Sequence, residues 1–317
     1  MKKALIIATV ILLSLLMYSL LQAEALQKNI IPADATWVVH IDVERVFSSR
    51  FYTRIAGQEG WDKIEKQNAR FVKKFKIDLL EDITAVTVFG KGKDEDNTVA
   101  CLHGKFNREY LLGLLEMEDS HQEIAHGKFT IHNWDRREYG AFAGDRMVLL
   151  GKNESALKEA LDVISGKAAD ITKSKSAALF GRVPTDSLLA GIAHNLSSLA
   201  TGPKMPRLFR KAESAMFHVS EKGKDMLFGA EMSAASPEDA DNIEQIIRGL
   251  MALVDMHSED VPEGIHVPED IKITKSGNNI RMEMSYPTED LIKLIAGKGR
   301  FPFKFAMSAV MSPLHAP

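Results

Sequence analysis

One cysteine in 317 residues, Cys101, excludes any intramolecular disulfide, so packing alone must hold the fold together. It lies in the alternating run Thr98-Val99-Ala100-Cys101-Leu102, where a small thiol serves as core filler, and no helix start or basic cluster beside it favours a reactive thiolate. Basic residues are not in excess. Forty Lys and Arg against 43 Asp and Glu leave a net charge of −3, which argues against a nucleic-acid partner, because such a surface shifts the balance upward. Phosphate-cradling glycine loops are missing, since Gly90-Lys91-Gly92 and Gly297-Lys298-Gly299 fit neither nucleotide fingerprint. A nucleophile elbow is missing too. Ser155-Ala156-Leu157-Lys158 has the Ser-x-x-Lys spacing of penicillin-recognising enzymes, but the companion Ser-Asp-Asn and Lys-Thr-Gly motifs do not occur. Ser155 therefore reads as a first-turn residue of an amphipathic helix.

What the chain does carry begins at its start. Met1-Lys2-Lys3 precedes an apolar stretch from Ala4 to Leu21, followed by Gln22-Ala23-Glu24-Ala25-Leu26. A basic n-region, a long h-region and an Ala-x-Ala signal predict a secretory signal peptide cleaved after Ala25, or a retained membrane anchor over residues 1–25. Loss of this segment takes the net charge from −3 to −4. No later apolar run is long enough to cross a bilayer.

The body shows a recurring unit in which a β-rich run ends at a capping residue and an amphipathic helix follows. Asn107 precedes Tyr110, Leu111, Leu114 and Leu115; Asn153 precedes Leu157, Ala160, Leu161 and Ile164; Ser236-Pro237-Glu238-Asp239 precedes Ile243, Ile247 and Leu250. Pro287-Thr288-Glu289-Asp290 opens a further helix, and Pro184-Thr185-Asp186 is read as opening another at Leu188 after a strand at Leu179–Val183. In order, the units predict an α+β fold of two similar lobes, each an antiparallel sheet with helices packed on one face. The lobes are expected at 30–166 and 178–297, joined by the polar linker 167–177 and followed by a tail at 298–317. Turn-rich segments at Gly90–Asn97 and Ser276–Asn279 predict hairpins, and the stretch 257–270 reads as a surface loop.

Two constellations offer chemistry. His121, Glu123 and His126, with His132 nearby, supply nitrogen and oxygen donors for one zinc ion, although the spacing is not that of a zincin helix; the segment reads as a solvated connection. His40 and Asp42, two apart on a strand, share one face as an acid and base pair. Alternation makes Trp37, Val39 and Ile41 the core face, leaving His40 and Asp42 on the other, with Asp42 capping a helix that begins at Val43. At the far end, Lys298 to Met307 interleaves basic and aromatic residues that suit an anionic membrane surface, or fold back on the second lobe.

The opening of the mature body, Ile31-Pro32-Ala33-Asp34-Ala35-Thr36-Trp37-Val38-Val39-His40-Ile41-Asp42, resembles the start of exported bacterial proteins of unknown function that begin with a Pro-Ala-Asp-Ala-like turn and a strand and contain duplicated α+β lobes. The resemblance implies no reaction and no catalytic residues. The expectation is a non-enzymatic binding or structural protein, periplasmic, secreted or anchored to the inner membrane, with no cofactor and no nucleic acid. Its partner would be a protein or small molecule of the envelope, with the cleft between lobes as its site. The alternative is a metal-assisted envelope hydrolase using His121, Glu123, His126 and His132.

Overall fold

The computed structural model describes residues 25–56, 61–196, 211–256 and 271–297. Most of the expected leader, the stretch 257–270 and the tail 298–317 lie outside them.

The strands are β1 (Trp37–Asp42), β2 (Ile83–Gly90), β3 (Thr98–Gly104), β4 (Gln122–His126), β5 (Phe129–Asp135), β6 (Glu138–Phe142), β7 (Met147–Gly151), β8 (Leu189–His194), β9 (Ala212–Lys222), β10 (Asp225–Ala234), β11 (Lys272–Ser276) and β12 (Asn279–Pro287). The class is α+β and the pairing antiparallel, as the hairpin turns require. The two sheets expected for the two halves are one. Twelve strands run in the order β11-β12-β10-β9-β8-β1-β2-β3-β7-β6-β5-β4, and the halves meet where β1 pairs β8, with Val39 opposite Gly191. Outward from that junction the first half runs β1-β2-β3-β7-β6 and the second β8-β9-β10-β12-β11. Helices fall at the same places, Arg108–Glu116 after β3 and Pro237–Met256 after β10, then Glu154–Ile164 after β7 and Thr288–Gly297 after β12. Among the described residues, the hairpin β4–β5 at the outer end of the first half has no counterpart in the second.

Local chemistry explains the helix starts. The side chains of Asn107 and Asn153 accept from the backbone N–H groups of Tyr110 and of Ser155 and Ala156, and Ser236 accepts from Asp239 N at 3.1 Å. Helices then cover the sheet unevenly. On one face, Leu157, Ala160 and Leu161 pack with Val38, Phe89, Val99, Cys101 and Leu149. On the other, Phe71 and Phe75 of the helix Trp61–Phe75, with Leu111, cover Val86, Leu102 and Leu150. Farther along, Ala240 and Ile243 cover Ala234 and Ile280.

Three expectations are corrected. The segment Leu189–His194, read as helical, is strand β8; its short apolar run suits burial on both sides equally well, and periodicity cannot separate the two cases. The strand expected at Leu179–Val183 is instead the short helix Ala177–Phe180, whose Leu179 and Phe180 are buried in the first half's core. The linker 167–177, read as polar and without an apolar period, is anchored to the first half through one apolar residue. Pro32 bridges Asp170, Ile171 N donates to Ile31 O at 2.8 Å, and the Ile171 side chain is fully buried. A single apolar residue has no period to detect, so backbone pairing carried the decision.

Gly104 sits where the backbone of Asp82 comes closest, so that a methyl at its Cα would fall on the Asp82 carbonyl, whereas the same methyl at Gly113, inside the helix Arg108–Glu116, meets nothing within 4 Å. Gly104→Ala is expected to lose about 1–3 kcal/mol of stability through forced backbone movement, and Gly113→Ala to gain roughly 0.5–1 kcal/mol from helix propensity. Urea unfolding of the two variants checks both signs.

Candidate functional site

The acid and base pair of the central strand is buried. His40 and Asp42 are 3% and 0% exposed, whereas Trp37, Val39 and Ile41 are only partly buried. The assignment of faces is thus corrected: alternation holds, but β1 is covered on both sides, so polarity does not mark the solvent face. Each polar group is engaged within the fold. His40 Nδ1 lies 2.9 Å from Thr87 Oγ1 on the paired strand β2. Asp42, as expected, caps the helix Val43–Ser48, accepting from Arg45 N at 2.8 Å and pairing with Arg45 Nε at 3.2 Å. Burial raises the Asp42 carboxyl above the ordinary carboxylate range, and the Arg45 hydrogen bonds and charge only partly oppose it.

Of the other reactive-looking groups, Ser155 is exposed in the first turn of its helix, where its backbone N–H donates to Asn153, and Lys158 pairs with Glu154 at 2.6 Å. Cys101 is fully buried and burial pushes its thiol up to about 12, which leaves it without nucleophilic thiolate.

The histidine-rich segment is not the solvated connection expected of it. Gln122–His126 is the outermost strand β4 of the sheet, and its pairing places Glu123 directly opposite His132 of β5. His121 Nε2 lies 3.1 Å from His132 Nδ1, with the two rings close to parallel and their centroids 5.3 Å apart. Glu123 Oε1 is 3.6 Å from the same His132 nitrogen. Donor atoms of all three fall within 4.8 Å of one another. His132 is buried, and that burial lowers its pKa, with His121 and Arg108 adding to the effect and Glu123 opposing it. His126 does not join them. Three residues beyond Glu123, it faces the opposite side of the strand, where its Nε2 meets Asp162 Oδ1 of the helix Glu154–Ile164 at 2.9 Å. A spacing that looks clustered in the sequence is divided by the strand's alternation.

Two polar clusters have no sequence signature, because their members are far apart along the chain. Lys91, in the β2–β3 turn, pairs with Asp34 at 2.7 Å and Glu159 at 2.5 Å beside a cavity of about 190 Å³ lined by Pro32, Phe89 and Asn153. Glu231, 5% exposed, is held by Arg182 at 2.9 Å and Arg281 at 3.3 Å.

No family model and no curated protein matches the chain. Among solved structures it is similar to crystal forms III, I and IV of TP0453, at 11%, 10% and 10% identity, with TM-scores of 0.49, 0.49 and 0.47. The matches cover 87%, 87% and 86% of this chain and 100%, 98% and 98% of theirs.

Because the Asp42 carboxyl is raised in the fold, its contribution to stability is fully present below the unfolded value of 3.8 and is lost as pH rises through the folded value. Asp42→Asn, which keeps the capping oxygen, is expected to abolish that loss, while Asp42→Ala abolishes it too but is about 1 kcal/mol less stable than Asp42→Asn at every pH through the missing cap. Denaturant unfolding across the acid range, compared among the three chains, measures the difference.

Proposed function

We propose that the chain is an exported, non-enzymatic binding or structural protein of the bacterial envelope. The observation that carries the reading is the fate of the His40 and Asp42 pair. Both side chains are buried, one tied to the neighbouring strand and the other to a helix start, so they serve the fold and leave no open acid and base for a substrate. The n-region, h-region and Ala-x-Ala signal at residues 1–25 support export. Among the described residues no helix is long and apolar enough to cross a membrane.

The halves are fused edge to edge through β1 and β8, so the expected cleft between them gives way to the sheet faces and its outer strands as places for a partner. A mass beginning at Leu26 in the periplasmic fraction of a bacterial host, or an intact chain in its inner membrane, is the expected result of fractionation with intact-protein mass spectrometry. An unprocessed chain confined to the cytoplasm overturns export.

The convergence of His121, Glu123 and His132 favours a second reading, metal-assisted hydrolysis, in which three side chains hold zinc and a fourth position activates water. In that case zinc addition to the purified chain accelerates hydrolysis of an activated phosphoester or ester, and His121→Ala removes the acceleration. Our first reading expects no acceleration.

A further inference from the structure

We propose that His121, Glu123 and His132 form a binding site for one divalent transition-metal ion of the zinc type. The geometry argues first. A tetrahedral ion with metal–ligand bonds near 2.0–2.1 Å holds its donors about 3.3–3.4 Å apart, and two of the three separations here, 3.1 Å and 3.6 Å, bracket that value, while the third lies within 4.8 Å. His121 is partly exposed, and the terminal torsion of a histidine ring is broad, so a modest turn of that ring aims its lone pair at the shared centre.

Donor chemistry narrows the ion. Two imidazoles and one carboxylate suit zinc, cobalt, nickel and copper, whereas calcium and magnesium demand oxygen ligands. The frame is also rigid where it must be. Glu123 and His132 are register partners across β4 and β5, and His121 is tethered just before β4 by its backbone N–H to Glu118 O at 2.9 Å. The buried His132 has a fixed orientation, while the largely exposed Glu123 gives the ion a solvent path. The Glu123 carboxylate, 3.6 Å from His132 Nδ1, opposes the charge of Arg108 there. Three protein ligands leave a fourth position, which water fills.

The site does not depend on export or on the absence of catalysis, so its failure and theirs are separable. The test is titration of the tag-free full chain with Zn²⁺ by calorimetry and with Co²⁺ by visible absorption. One ion per chain is expected, with the strong d–d bands of a four-coordinate site. His121→Ala and Glu123→Gln should each weaken binding at least about tenfold, while His126→Ala, which changes the opposite face of β4, leaves it unchanged. Because the buried His132 is apt to be needed for folding, the two exposed ligands carry the test, with circular dichroism confirming that the variants fold. A folded wild-type chain that takes up no stoichiometric zinc or cobalt overturns the proposal. So does equal affinity in His121→Ala and Glu123→Gln, or loss of binding in His126→Ala.

Discussion

The central strand β1 is hydrogen-bonded on both sides and covered on both faces, and the rest of the molecule is arranged around meeting those demands. Its backbone groups are satisfied by β2 on one side and β8 on the other, which is what turns two half-sheets into one. Its side chains supply Val38 to one core and Ile41 to the other. Two of its six residues are polar, and a buried polar group without a partner is expensive. His40 and Asp42 therefore dictate their neighbours: a threonine at position 87, and a helix that must begin at Val43 so that its free N–H groups reach the carboxylate. The same segment is stapled at its start, where Gly92 N donates to Thr36 Oγ1 at 2.8 Å and His194 Nε2 lies 2.6 Å from Ala35 O.

This arrangement explains which features can be read from the residues and which cannot. Helix caps at Asn107, Asn153 and Ser236 are legible because donor and acceptor lie within three residues of each other. Hairpins are legible because the turn sits between the strands it joins. The α+β class and most strand positions follow from these two signals. Strand β8 is not legible, because Leu189 to Ala193 lacks the alternation that one wet face would impose. The same double burial hides the correct face of His40. Ile171 escapes notice for a different reason: an anchor of one residue has no pattern, and its place is set by backbone pairing with Ile31. At the histidine-rich segment the residue types point to the right neighbourhood, but the division of His126 from Glu123 needs the strand, and the pairing of Glu123 with His132 needs the register.

The ionisable groups fall into two populations. One set is matched and serves as fasteners: the buried Glu231 gathers Arg182, two residues beyond the helix Ala177–Phe180, and Arg281 from β12, and Glu221 of β9 accepts from the N–H groups of Arg50 and Phe51 at the start of the helix Arg50–Ile55. The Glu221 contacts cross between the halves, whereas those of Glu231 lie within the second. At the outer edge, His121 and Glu123 stand partly or largely in solvent around the buried imidazole of His132 on the neighbouring strand. Chemistry that has to exchange with the surroundings fits the second population, and the first explains why the interior holds charge without offering reactivity.

The seam also governs how the chain reaches this structure. Strand β1 finds β2 across one helical excursion, but its other partner lies about 150 residues downstream, a closure whose entropy must be met before the pairing gives anything back. Until β8 emerges, the first half presents an open strand edge flanked by apolar Val39 and Ile41. Closure of the β1–β8 pair is therefore expected to be the slow step, and the half-made sheet, with its open edge, the species most prone to association.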